Sequence, residues 1–408
     1  MSEPTKTTSE QPFPAVAPKE KLWNSNYLKV WLANFMLFFS FMLLTPLLPL
    51  YLSDTYGADK QTIGLVLSGY TLMALMMRPF SGFMVDSFPR KKVLLLCYGC
   101  FALLFAGYLL AGTLLLFTIL RTFHGAPFGA TTVANSTVAI DTLPSSRRNE
   151  GIGYYGLSNN IATAIGPSVA LFLFHGTGNY DVLFALALVC SLIGFGIDFT
   201  VKLPERPLNR EARRLSTDRF FLTNAWTEGL NILCFAFSYG VLSTYLAIYG
   251  KEELDITGGT GLFFALLAIG LILSRLTGTR SLGKGLVSRN AAMGILVSLF
   301  GYLLFAALHN RLGYYGAALI IGLGNGHMYP AFQTMFINLA PHTKRGTANS
   351  TLLTSWDVGV GVGVLLGGVL SEHFGYHSAF WMAWVVNGAG ALLFFCRTRR
   401  HFECNKLR

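Results

Sequence analysis

Asp357 carries the clearest chemistry in this sequence. It stands in the apolar stretch Thr354-Ser-Trp-Asp357-Val-Gly, where a carboxylate is costly and is kept for a reason. Such a group is suited to taking up and releasing a proton. Arg121, in Leu116-Phe-Thr-Ile-Leu-Arg121-Thr-Phe-His124-Gly125, is a cation placed equally deep in apolar sequence, and a cation tunes a nearby proton carrier. Glu228 is a rival carrier. Asn224, Glu228 and Asn231 share one helical face around it. His327 is a third.

Depth adds a pattern. Counting along each apolar stretch places His124, Asn160, Asn325 and Asp357 about 15–18 Å in, near the middle of a hydrocarbon layer about 30 Å thick. Four polar residues at one level outline a central cavity. Trp226 and Trp356 each neighbour an acid and could wall a site for a flat or amphipathic organic molecule. The competing readings are a fixed pair with His327 or another base, or a helix-packing role, for Asp357 and plain helix–helix hydrogen bonds for the asparagines. Asp141 and Glu150 pair more simply with Arg147, Arg148 or the basic run at 90–92.

The elements holding these residues follow from composition. Of 408 residues, 52% are hydrophobic and 12% charged, against about 25% charged in a soluble domain. Twelve stretches are long enough to span a bilayer: about 28–52, 60–85, 93–112, 114–140, 151–174, 180–201, 221–249, 259–280, 287–308, 313–338, 347–371 and 376–396. Unpaired backbone groups are expensive in lipid, and no alternating ten-residue pattern marks a barrel, so these are helices. The expected fold is an all-α polytopic membrane protein.

Charge sets the topology. Three basic residues (Lys60, Lys251, Arg311) fall in the loops on one side and four (Lys29, Arg78, Arg121, Arg275) within spans; the other 24 lie on the opposite side. The positive-inside rule puts that side, with both termini, in the cytosol of a cell's inner membrane. The net charge of +11 is divided among separate loops, which excludes a contiguous nucleic-acid surface. The expected organisation is a disordered cytosolic tail at 1–27, a six-helix bundle at 28–201, a polar linker at 202–220, a second six-helix bundle at 221–398 and a tail at 399–408.

The halves echo one another. Aligning Pro144 with Pro341 sets Asn160 opposite Asp357 and Gly166 opposite Gly363, while His124-Gly125 answers Asn325-Gly326. Two such repeats suit a transporter that rocks one bundle against the other.

After span 2 the chain reads Gly82-Phe-Met-Val-Asp86-Ser-Phe-Pro-Arg90-Lys91-Lys92. Gly82 allows close helix approach, Asp86 can cap a neighbouring helix start or pair with a base, and Arg90 and Lys91 anchor the cytosolic side. This resembles the loop 2–3 signature of the major facilitator superfamily, with Pro89 where that family usually has Gly. Around span 8 the copy is degenerate: Arg275, Gly278, Arg280 and Lys284 remain without an acid. Arg121 to Gly125 is similar to the family's span 4 motif. Gly166-Pro167 in span 5 resembles the family's antiporter motif, with Ala162 and Ala170 at positions where Gly is commoner. The nearest resemblance is to bacterial proton-coupled drug and metabolite exporters.

That resemblance implies two pseudo-symmetric six-helix bundles and export of a small organic molecule by alternating access in exchange for protons. Asp357, Arg121, Glu228 and His327 would couple protons. His124, Asn160, Asn231, Asn325, Trp226 and Trp356 would bind substrate, and Gly82, Asp86, Arg90, Lys91, Gly166 and Pro167 would gate. The alternatives are a sugar or organic-acid symporter or uniporter on the same fold, and a receptor or lipid-handling protein. No Walker loop, HExxH or GxSxG marks an enzyme. Cys97 and Cys100 form a CxxC inside an apolar span without a second pair, so helix packing is the reading there. The expected partners are a small molecule, protons and the bilayer. No metal or cofactor is implied, and a monomer is expected.

Overall fold

The computed structural model describes residues 20–203, 220–256 and 260–407. The expected tail at 1–27 and linker at 202–220 therefore lie largely outside the described residues.

The first half contains α1 (Ser25–Leu44), α2 (Leu48–Tyr56), α3 (Lys60–Ser87), α4 (Arg90–Leu109), α5 (Leu114–Thr142), α6 (Arg148–Thr177) and α7 (Tyr180–Phe199). The second contains α8 (Trp226–Glu253), α9 (Thr260–Gly283), α10 (Val287–Ala307), α11 (Arg311–Leu339), α12 (Arg345–Leu393) and α13 (Arg399–Asn405). Among the described residues these make twelve spans. The first is α1 with α2, bent where Pro46 and Pro49 lack the N–H groups that would continue the ladder. Spans 11 and 12 are both in α12, broken at Gly375, whose φ of 80° suits glycine.

Short polar side chains start several helices. Asn24 accepts from the Tyr27 N–H at 2.9 Å, Asp59 from Thr62 at 2.8 Å, and Asn310 from Gly313 at 2.8 Å. Helix α1 thus begins inside the expected tail. The other tail is also ordered at 399–405: Phe402 is buried, His401 meets Glu228, Glu403 accepts from Ser288, and the Leu407 N–H donates to the Asn338 carbonyl at 2.9 Å. One apolar anchor among polar neighbours docks it.

One core lies around Tyr98, Phe101, Phe105 and Phe117 in the first half; the second half is packed around Phe235, Phe263, Phe305 and Phe332, and the cluster at Phe235 and Phe332 also takes in Ile140 and Ile152 of the first half. Many large apolar side chains, among them Leu103, Phe172, Leu365 and Leu392, face outward, as lipid requires. Helices α5 and α11 are the best covered, and they fall outside the nine stretches, among the described residues, long and apolar enough to cross a membrane. They pack by glycine. A Cβ on Gly125 or Gly129 would overlap the Tyr70 or Ala74 carbonyl of α3, and one on Gly322 would overlap the Leu267 carbonyl of α9. The halves meet along α3 with α12 and along α6 with α9.

Candidate functional site

The two faces of the bundle differ. One carries the ends of α7 and α13 and the starts of α1 and α8; it is called the linker face here. Among the described residues, every hydrogen bond and ion pair between the halves lies between this face and mid-depth.

Asp86 forms the centre of the closure. It ends α3, and its carboxylate accepts from the Gly346 N–H at 2.9 Å, the Thr347 N–H at 2.8 Å and the Thr347 hydroxyl at 2.9 Å. Helix α12 receives no cap from its own Lys344. Its orphan N–H groups are satisfied by an acid of the other half, where the helix dipole favours negative charge. Gly82, one turn back, permits this approach: a Cβ there would stand 2.6 Å from the Ser350 Cβ. Arg90 bridges Asp86 and Asp141 and donates to the His342 carbonyl. Asn349 donates to the Thr137 hydroxyl at 3.0 Å, and Ser350 to the Arg78 carbonyl at 2.6 Å. Lys91 lies over the Phe199 ring, anchoring α4. Asp141 and Glu150 take the basic partners foreseen for them, Arg90 and Arg147.

At the matching junction of α6 with α9, Gly283 occupies the place of the acid and packs against Glu150, which is held by Arg147 at 2.7 Å.

Above the closure, Arg78 Nε stands 3.0 Å from the Asp357 carboxylate, across the interface of the halves. Arg78 is about 14 Å from the end of α3 and Asp357 about 18 Å from the start of α12, so the pair sits near mid-depth. Trp356 packs on Tyr239 and Tyr329 beside it. Beyond this level, among the described residues, no hydrogen bond or ion pair joins the halves, and Cβ atoms on Gly64, Gly261 or Gly361 would meet nothing within 4 Å.

The other expected residues are dispersed. Arg121 does not reach Asp357. Its guanidinium lies over the Tyr70 ring at 4.0 Å and donates to the Tyr108 hydroxyl at 3.3 Å. His124 is fully buried among Tyr70, Phe101, Phe105 and Tyr108, with Nδ1 2.6 Å from the Tyr108 hydroxyl. Asn325, its counterpart, accepts from Ser298 at 3.1 Å. Both are turned into their own bundles, so His124, Asn160, Asn325 and Asp357 do not form one ring. Asn231 donates to the Gly390 carbonyl at 2.9 Å and ties α8 to span 12. His327 is held by Asn290 at 3.0 Å and Thr277 at 3.2 Å.

Glu228 is in the first turn of α8, because that helix starts at Trp226, later than the stretch 221–249 indicates. It is buried against Thr227 and His401. Trp226 is exposed beneath Arg397 and walls no cavity. Gly166 packs on Met42 where span 1 bends, and Pro167 sits within an unbroken α6.

Two residues here received no site role from the sequence: Arg78, an in-span cation that holds Asp357, and Arg275, an in-span cation of the degenerate motif copy, buried on α9. That cost was the signal available.

A sequence profile of the Major Facilitator Superfamily matches residues 30–342 and 288–404. The chain belongs to this superfamily. It is therefore a multi-pass membrane transporter with twelve helices in two bundles. Among its superfamily relatives, the staphylopine export protein of Staphylococcus aureus (strain Mu50 / ATCC 700699) is 24% identical over 367 residues, covering 86% of this chain and 90% of the relative. The multidrug resistance protein MdtG of Escherichia coli O1:K1 / APEC is 24% identical over 389 residues, covering 91% and 93%. The superfamily fold is shared with the human organic anion transporter MFSD10 (TM-score 0.78, 17% identity, covering 91% of this chain and 99% of that one). It is shared equally with the transporter FucP in the outward conformation (TM-score 0.77, 15% identity, covering 91% and 99%).

Proposed function

We propose that this transporter exports a small organic molecule in exchange for protons. It works by alternating access, as a monomer in the inner membrane with both termini in the cytosol. The observation that carries the reading is the Arg78–Asp357 pair, an ion pair bridging the halves at mid-depth directly above a closed gate. A carboxylate in that place couples two events. Protonation removes its charge and frees Arg78, loosening α3 from α12; loss of the proton restores the link.

The positive-inside distribution makes the linker face cytosolic, so the described state is closed inward and opens outward. Protons then reach Asp357 from outside. The gate at Asp86 opens, the proton leaves to the cytosol, and substrate enters. Export as the direction is supported by the names of the staphylopine exporter and MdtG.

The test uses everted membrane vesicles energised with an inward-acidic proton gradient. A transported compound discharges that gradient, as read by a pH-sensitive dye. Wild-type vesicles respond to at least one compound in an organic panel, and Asp357→Asn vesicles respond to none. A response that survives Asp357→Asn overturns the assignment, and accumulation only in right-side-out vesicles makes the protein an importer.

A further inference from the structure

Resting on the transporter reading, we propose that Arg275 is the docking point for an anionic group, carboxylate or phosphate, on the transported molecule. Arg275 holds the place in the second half that Arg78 holds in the first. Each is a buried arginine in the helix that opens the interface, α3 or α9. Each lies about 12–14 Å above that helix's linker-face end. Arg78 crosses to α12 and meets Asp357. Arg275 crosses to α6, its Nη2 lying 3.0 Å from where a Cβ on Gly156 would be. One turn further along α6, on the same face, stands Asn160.

Asn160 is the residue that the internal repeat sets opposite Asp357. In this half the carboxylate has been replaced by an amide. Among the described residues no acidic side chain is within ion-pair distance of Arg275. Its Nε and Nη1 are buried and donate to nothing, and neither does the buried Nδ2 of Asn160. A buried guanidinium with two idle donors beside an idle amide donor wants one acceptor that carries negative charge. The fold supplies that acceptor at one interface and omits it at the other. A substrate anion on Arg275 would complete the second interface much as Asp357 completes the first.

The experiment is a thermal-shift titration of the purified full-length protein with four probes of matched shape: benzoate, phenyl phosphate, benzamide and benzylamine. Benzoate, phenyl phosphate or both raise Tm, while the neutral and cationic probes do not. The pattern between the two anions says which group the site takes. Arg275→Gln weakens the anion by about tenfold or more, and Arg275→Lys retains part of the response. Asn160→Asp supplies the missing carboxylate; it raises Tm without ligand and abolishes the anion response. This last variant keeps the test decisive should Arg275→Gln fail to fold. Absence of any anion response, an equal response to benzamide, or an anion response unchanged in Asn160→Asp overturns the proposal. Stabilisation by benzylamine alone overturns it and leaves the export reading standing. Anion binding with no discharge of a proton gradient leaves this site standing and removes the exchange reading.

Discussion

Arg345, the first residue of α12, donates to the Asp141 carboxylate at 2.7 Å from the opposite half of the molecule. Arg90, from the same half as Asp141, takes the other oxygen. One carboxylate thus joins two cations that belong to bundles which must separate during transport. All three side chains are buried or nearly so. Asp86 and Asp141 therefore hold the linker face shut by charge and hydrogen bonding, groups that water can replace when the halves part.

Asp86→Asn removes the charge from the cap on α12 and leaves its shape. A charge-assisted hydrogen bond is worth about 1.5–3 kcal/mol, so the balance between closed and open linker face shifts roughly 10- to 150-fold toward open. Turnover falls while affinity for the substrate changes little. Reactivity of a cysteine introduced at Ser350 toward a membrane-impermeant thiol reagent added from the linker side measures the shift. Equal loss of affinity and turnover would place Asp86 in contact with substrate instead.

Arg78→Gln leaves Asp357 without its partner, and breaking a buried pair from one side costs about 3–5 kcal/mol. The double variant Arg78→Gln/Asp357→Asn recovers much of that loss, because neither charge is then stranded. Thermal denaturation of the two single variants and the double closes the cycle. Additive losses would mean that the pair contributes no coupling.

Glu228→Gln separates the two carboxylate candidates. Glu228 is in the first turn of α8, bonded to Thr227 and to His401 of the docked tail. The substitution loosens α13 and lowers stability by about 1–2 kcal/mol. Proton-coupled flux persists. Loss of gradient discharge in Glu228→Gln, with Asp357→Asn active, would transfer the coupling role to Glu228.

Gly125→Ala and Gly64→Ala form a matched pair on the packing of α5 and α3. At Gly125 the added methyl meets the Tyr70 backbone, which cannot rotate away, and overpacking of this kind costs about 1–3 kcal/mol or more. At Gly64 it meets open space and is neutral or slightly stabilising. Melting temperatures of the two purified variants check this, and equal losses would remove backbone contact as the explanation.

Composition and hydropathy alone determined the membrane setting, the number of spans and the division into two halves. Burying apolar surface in lipid and satisfying every backbone group within a helix depend on local sequence. The role of Asp86 as a cap was also legible, since an acid and a glycine one turn apart at a helix end serve one geometry. Partners were not. Whether Asp357 meets Arg78 or Arg121, and whether His124 faces a cavity or an aromatic cage, depends on the rotation of each helix and its choice of neighbour. Those are set by where glycines let backbones touch, as Gly125 does against α3 and Gly82 against α12. Depth along a helix can be counted from the sequence, but the direction in which a side chain points at that depth is decided by packing among all twelve spans.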